Sequence, residues 1–393
     1  MPTQNLNIVF KISERCNLKC DYCYFFFGGD ETWKQHPPLV SRKVVEDLGA
    51  FAARAARDRQ LEVIDVIFHG GEPLLMSKPR FAEMCETLRR YENGFKFSFA
   101  VQTNAVLVDD GWVDVFERCR VTAGVSLDGP PVVNDLHRLD LKGRSSYEGT
   151  VAGLRTLQNA AAQGRITAPG LLCVINPFAD GAKVYRHFVK DLDVTYMSFL
   201  TPDYTWDSAV GESVIRGVER FLLAALRAWL SDKNPKIHVR VFSELLAAMV
   251  DPRAMELVRT YREDYRNIIS VSSNGDLGAE DTLRTVDPRF ASMGLNVANN
   301  DLGDLFESEA WREQAEAVTI RPDNCKECDW WNLCKAGKPI NRYSKARGFS
   351  NHSLYCSGLK DVYTEIGAFL VRNGTPLSEL ALRIASEGDK HAA

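Results

Sequence analysis

From Asn7 to about Leu200 the chain alternates short β-rich runs with stretches of helical period. The strand runs are Ile8–Ile12, Val63–Phe68, Lys96–Gln102, Val121–Leu127, Leu171–Ile175 and Thr195–Leu200. Amphipathic stretches lie between them near Ser41–Arg57, Arg80–Tyr91, Trp112–Arg118, Tyr147–Ala162 and Ala182–Val189. Strands and helices in strict alternation imply a parallel sheet with right-handed crossovers. Six such units fall short of the usual eight-stranded barrel. The expected fold is therefore α/β, a partial (β/α)6 barrel over residues 1–200. Its ligands should bind at the C-terminal ends of the strands.

The rest of the chain reads differently. Residues 201–266 form a helical bridge, with FLLAALRAWL and FSELLAAMV as amphipathic segments. Residues 267–358 lose periodicity and are rich in turns, Asn, Asp and Cys, as expected of a domain organised by metal. Residues 359–393 are a helical tail that opens on a closing helix from Gly358 to Arg372. The 393-residue chain is 45% hydrophobic and 25% charged, which excludes a disordered protein. Its net charge of −4 argues against a nucleic-acid binder. The apolar run Phe221–Leu230 contains Arg227 and is too short to span a bilayer. No basic region followed by an apolar stretch opens the chain, so a cytoplasmic location is expected.

In a reducing compartment the 10 cysteines are metal ligands or buried thiols before they are disulfides. Cys85, Cys119 and Cys173 sit in apolar or helical patterns and read as small buried hydrophobes. Cys16-x3-Cys20-x2-Cys23 follows the first strand directly. Three thiolates on one tight loop can hold three irons of a [4Fe–4S] cube, which leaves the fourth iron open to a small molecule. A structural zinc would want a fourth ligand close by. Cys325-x2-Cys328-x5-Cys334, followed by Cys356, fits either a zinc ribbon or a second iron–sulfur site.

Further motifs stand at successive strand ends. Tyr22 precedes the third cysteine, and Gly70-Gly71-Glu72-Pro73 follows the second strand. Gln102-Thr103-Asn104 ends the third strand, and Ser126-Leu127-Asp128-Gly129 the fourth, with Arg138 shortly after. With these in order, the chain resembles the radical S-adenosylmethionine (SAM) superfamily. The resemblance implies a cluster on Cys16, Cys20 and Cys23 and a SAM site lined by the residues just named. In such enzymes Tyr22 would lie against the adenine, and Glu72 with the glycine backbone would meet the methionine amino group. Ser126 would meet the ribose and Arg138 the methionine carboxylate, with Gln102, Asn104 and Asp128 completing the pocket. A one-electron reductant such as flavodoxin or ferredoxin is the implied partner.

The C-terminal cysteines resemble the SPASM extension of that superfamily. On this resemblance Cys325, Cys328, Cys334 and Cys356 ligate one auxiliary [4Fe–4S] cluster. Lys338 stands where a seven-cysteine SPASM domain has another cysteine, and the stretch from Gly275 to Glu280 has none. Two clusters in total are therefore expected. Trp330 and Trp331 read as cluster shielding. Glu280 and Asp281 read first as solvated carboxylates on a turn, then as a vestigial ligand or a base.

Several stretches look like one branch of the superfamily, the three-residue cyclophane-forming maturases of ribosomally made peptides (RiPPs). They are GGDETWKQHPPLVS, SLDGPPVVNDLHRLDLKGRSSYEG, EDTLR and NRY…GFSNHSLYC. Lys335-Ala336-Gly337 departs from the glycine-rich run usual at that point. The resemblance implies carbon–carbon cross-linking of a precursor peptide, with Asp281 as the general base. Two other readings stand beside it. One is a dehydrogenase for a sulfatase Ser or Cys, or for a small molecule. The other, a non-catalytic iron–sulfur or zinc protein, has no use for a SAM pocket.

Overall fold

The computed structural model describes residues 5–263 and 267–385. Its strands are β1 (Leu6–Ser13), β2 (Val63–Gly70), β3 (Lys96–Thr103), β4 (Val121–Ser126) and β5 (Gly170–Val174). They continue with β6 (Tyr196–Leu200), β7 (His238–Val239), β8 (Ile268–Val271), β9 (Asp276–Gly278) and β10 (Leu295–Asn296). The chain divides into two compact units. The first comprises Met1–Leu127, Pro131–Leu172 and Arg266–Gln314; the second comprises Asp128–Pro130, Cys173–Tyr265 and Ala315–Ala393.

In the first unit, β1 to β4 pair in parallel in sequence order, and β5 joins at β4. Val9 stands opposite Ile67, Val66 opposite Phe99, Val101 opposite Ala123 and Val125 opposite Leu171. Each crossover carries a helix that starts on a cap or turn residue. Arg42–Arg59 begins behind Ser41, whose side chain accepts from Val44 N, and Asp110–Cys119 begins behind Asp109, which accepts from Trp112 N. These helices bury one face on the sheet. Phe81 meets Phe68 and Trp112 at ring-centroid distances of 5.0 and 5.4 Å. The expected βα series is thus present, with strand ends within two residues of the sequence reading. Cys85, Cys119 and Cys173 are buried as expected, and Cys85 and Cys119 are in hydrogen-bond contact.

The segment after 267 departs from the expectation of an aperiodic, metal-organised start. β8 pairs in parallel with β1, on the edge opposite β2, with Asn7 facing Ile268. β9 folds back antiparallel on β8, and β10 on β9. These strands are too short for a period to show. The turn Asp281–Thr285, which follows β9, meets β1 at Lys11 and lies in the same unit.

In the second unit β6 pairs in parallel with β7. Helix Glu212–Asp232 packs against helix Cys356–Arg372 at Gly358, where an added Cβ would lie 2.4 Å from Glu219 Cγ. The turn-rich segment between 315 and 355 is gathered by one side chain. Arg342 is wholly buried and donates to the carbonyls of Ala317, Ile320, Phe349 and Asn351. Burial lowers its pKa to about 10, which leaves it protonated at neutral pH. The guanidinium fork matches several carbonyls at once, which offsets the cost of burying the charge.

Arg342→Met should strand those carbonyls and destabilise the second unit by roughly 3 kcal/mol or more, at about 1–3 kcal/mol per unsatisfied group. Arg342→Lys should recover only part of the loss. Thermal melts and limited proteolysis between 315 and 355 check this; a wild-type melt for Arg342→Met would reject it.

Candidate active site

At the carboxyl end of β2 the backbone of Gly70-Gly71-Glu72 docks directly onto the chain entering the cysteine loop. Gly71 N donates to Ser13 O and Glu72 N to Arg15 O, both at 2.8 Å. The approach leaves no room for side chains. A Cβ on Gly70 would lie 2.0 Å from Ser13 O, and one on Gly71 would lie 2.2 Å from Arg15 O. Gly70 also has φ +123, which glycine alone adopts readily. The two glycines thus fix where Cys16 begins.

Glu72 is 1% exposed, and its carboxylate is already engaged. Oε1 accepts from Leu74 N and Thr103 Oγ1 at 2.9 and 2.7 Å, and Oε2 accepts from Asn104 N at 2.9 Å. Burial pushes its pKa up, against the pull of these donors. Asn104 in turn donates to Asn17 Oδ1 at 2.7 Å, inside the cysteine loop. Leu18 N donates to Cys16 Sγ at 3.4 Å, the kind of contact a bound thiolate accepts. Cys20 and Cys23 lie near enough to act electrostatically on Cys16, whose thiol burial pushes up to about 12. Bare thiols in this setting stay protonated; a cationic cluster reverses that.

The other expected cofactor residues come together in pairs. Arg138 Nη1 donates to Tyr22 OH at 2.9 Å, and Gln102 Nε2 donates to Ser126 Oγ at 2.7 Å. Pro73 opens the turn Pro73–Leu75. Asp128, in the second unit, accepts from Val174 N at 3.0 Å and so lies against the backbone of β5.

Asp281 is not a solvated turn carboxylate. It is 4% exposed and lies among charged side chains that the sequence did not single out. Lys11 Nζ and Tyr24 OH both donate to its Oδ2. Lys11 also lies 3.5 Å from His69 Nδ1. Burial favours the neutral carboxyl, but Lys11, then Arg284 and His69, outweigh it and hold Asp281 at about 2. Burial, then Lys11, lowers His69 to about 3, so it is neutral. Tyr24 follows the third triad cysteine directly, which puts this carboxylate beside the cluster loop. Glu280 is a turn cap, its Oε2 accepting from Thr282 N and Oγ1. A lysine inside the buried run VFKIS and a histidine before Gly70 were the available signals, since a strand buried on both faces rarely carries either.

In the second unit Cys325, Cys328, Cys334 and Cys356 line one pocket, with Trp330 and Trp331 on its wall. The other three thiols act on Cys325, which burial first and these neighbours next push up to about 11. Four thiols around one cavity fit a cube cluster. After Cys334 the backbone runs through three left-handed residues, Lys335 (φ 46), Ala336 (φ 61) and Gly337 (φ 78). That conformation explains why glycine is usual there.

Residues 10–170 match the Radical SAM superfamily. They form a radical SAM domain. The chain is an enzyme, and SAM and iron–sulfur clusters are its cofactors. It is 29% identical to a serine-type anaerobic sulfatase-maturating enzyme of Klebsiella pneumoniae, over 97% of this chain and 92% of that one. It is 24% identical to a cysteine-type anaerobic sulfatase-maturating enzyme of Clostridium perfringens (strain 13 / Type A), over 92% and 96%. The structure of native anSMEcpe with bound AdoMet and Cp18Cys peptide shares the fold, with a TM-score of 0.76. That match covers 94% of this chain and 98% of the other at 21% identity. Among the described residues no helix is long and apolar enough to cross a membrane.

Anaerobic reconstitution should load about eight irons per chain, as two cubes. Replacing Cys16, Cys20 and Cys23 with Ala should leave about four. Gly71→Ala should act the same way, because its methyl displaces the Arg15 backbone next to Cys16. Iron assays and SAM titration check this; about twelve irons, or zinc, would reject the two-cube assignment.

Proposed function

We propose that this enzyme oxidises a side chain of a peptide by two electrons, in the manner named for the anaerobic sulfatase maturases. The observation that carries the reading is the buried, anionic Asp281 next to the triad loop. Similarity along nearly the whole chain to serine-type and cysteine-type maturases supports this over cyclophane cross-linking, the reading its subgroup motifs suggested. When bound, SAM with the triad cluster supplies a 5′-deoxyadenosyl radical, and a cluster on Cys325, Cys328, Cys334 and Cys356 supplies a one-electron acceptor.

The protein's own residues then have defined tasks. The glycine backbone, Tyr22, Ser126 and Arg138 hold SAM, while Glu72 holds the glycine turn to the end of β3. Once a Cβ hydrogen has left a serine or cysteine, one electron and one proton remain to be removed. Loss of the first hydrogen acidifies the neighbouring O–H or S–H, so a carboxylate of low pKa suffices as base. Lys11 and Tyr24 fix Oδ2 of Asp281, and among the described residues Oδ1 accepts no hydrogen bond. Oδ1 takes the proton.

Incubation with SAM, a reductant and serine- or cysteine-containing sulfatase peptides should give a peptide lighter by two hydrogens, with no new ring link. A ring link would favour cross-linking instead. Asp281→Asn should lower product by about 10²–10⁴-fold, the usual worth of a general base, while 5′-deoxyadenosine still forms. Because the folded pKa is depressed to about 2, the stability Asp281 contributes is present above its unfolded value near 3.9 and is lost as pH falls through about 2. A profile of product yield from pH 6 to 9 should therefore show no limb that Asp281→Asn removes.

Replacing Cys334 with Ala should cut product much further than 5′-deoxyadenosine in a protein whose melt shows it folded. Wild-type product yield from that variant would make the second cluster purely structural.

A further inference from the structure

Beyond its charge beside Asp281, Arg284 has no task in the mechanism above, and its setting is unusual. It lies three residues after Asp281 in the turn Asp281–Thr285 and is 2% exposed. Its guanidinium stands over the ring of Phe25, 4.8 Å from the centroid. Nε is 3.5 Å from Asp30 Oδ2 and 3.7 Å from Asp281 Oδ1, close enough for charge attraction and too far for hydrogen bonds. Among the described residues Nε, Nη1 and Nη2 have no hydrogen-bond acceptor, and Asp281 Oδ1 has no donor. Asp30 is satisfied separately, by Thr32 N and Oγ1. A fixed fork of five N–H donors therefore stands beside a carboxylate oxygen that is likewise buried and, among the described residues, without a donor. Interiors seldom leave such groups unmatched unless something else meets them.

The charges narrow what that partner is. An anion would suit Arg284 but would meet Asp281 and Asp30. A cation would suit the carboxylates but would meet Arg284 and Lys11. A neutral group with an acceptor next to a donor suits both halves, and a peptide residue offers that pair in its carbonyl and its own polar hydrogen. Stacking on Phe25 sets the plane of the fork, which a lysine ammonium would not have.

We propose that Arg284 orients the peptide substrate by donating to the backbone carbonyl of the residue being oxidised, which places that residue's O–H or S–H at Asp281 Oδ1. This rests on the two-electron oxidation proposed above. It adds a second recognition point for the same residue and predicts that Arg284 governs coupling: how much product forms per SAM cleaved.

The test uses Arg284→Lys in the fully reconstituted enzyme, with the Cp18Cys peptide as probe. Lysine keeps the charge facing Asp30 and Asp281 and loses the fork. Iron content, SAM affinity and thermal melt should match the wild type. KM for the peptide should rise at least tenfold, and 5′-deoxyadenosine formed per oxidised peptide should rise several-fold. Unchanged KM and coupling in a folded Arg284→Lys would overturn the proposal. A second arm needs no turnover. In a crystal structure of the wild-type holoenzyme with SAM and no peptide, the Arg284 nitrogens should be hydrogen-bonded to water alone. Hydrogen bonds to protein oxygens, or a bound sulfate or phosphate, would overturn it. If the wild type leaves the peptide unchanged, the oxidation reading fails for that peptide, and the crystallographic arm still decides the role of Arg284.

Discussion

Glu72 is a carboxylate sealed from water whose two oxygens are shared between the turn after β2 and the end of β3. The cysteine loop depends on that sharing. Asn104, held by Glu72, holds Asn17, and the Gly70-Gly71 backbone holds Ser13 and Arg15. The loop that carries three cysteines is thus pinned on both flanks by the element expected to bind SAM. Charge-assisted bonds of this kind are each worth about 1.5–3 kcal/mol. The residue is a fastening of the loop in its own right. That changes how a Glu72 substitution is read, because it disturbs the cluster loop along with any contact to the methionine.

The first unit also shows how a strand sequence prepares chemistry. β1 runs Ile8, Phe10, Ile12 into the core and places Lys11 among them with no solvent exposure. Burial favours loss of the lysine proton, and Asp281 opposes that loss. The pair is sustainable only because each answers the other. It also fixes one carboxylate oxygen and leaves the second directed elsewhere. A solvated carboxylate on the same turn would rotate and hydrate, with no preferred side.

Much of this was legible in the sequence. The βα series appeared because each element is long enough to show its period, and the motif residues fell at strand ends as expected. The cysteine sets were legible because ligand spacing is local. β8 to β10 were not, since two to four residues carry no period and their pairing with β1 is long-range. Asp281 was named, but its surroundings were hidden. Lys11 and His69 lie far from Asp281 in the chain, and only the closing of the sheet brings them to that carboxylate. The left-handed run after Cys334 was visible as a departure from glycine, and the backbone supplies the reason. Non-glycine residues there cost about 1–2 kcal/mol each. That cost falls on the turn directly after Cys334.

Arg342 gathers carbonyls of the turn-rich segment through one guanidinium. Small zinc modules collapse when their ion is removed, because the ion is their core. Here a guanidinium occupies the organising position, one step removed from the thiols. An iron cube destroyed by oxygen would therefore leave behind a cage that still has its shape. Rebuilding it would need only iron, sulfide and electrons, without a fresh round of folding. The second unit is in that sense repairable, and exposure to air should be a reversible injury to it.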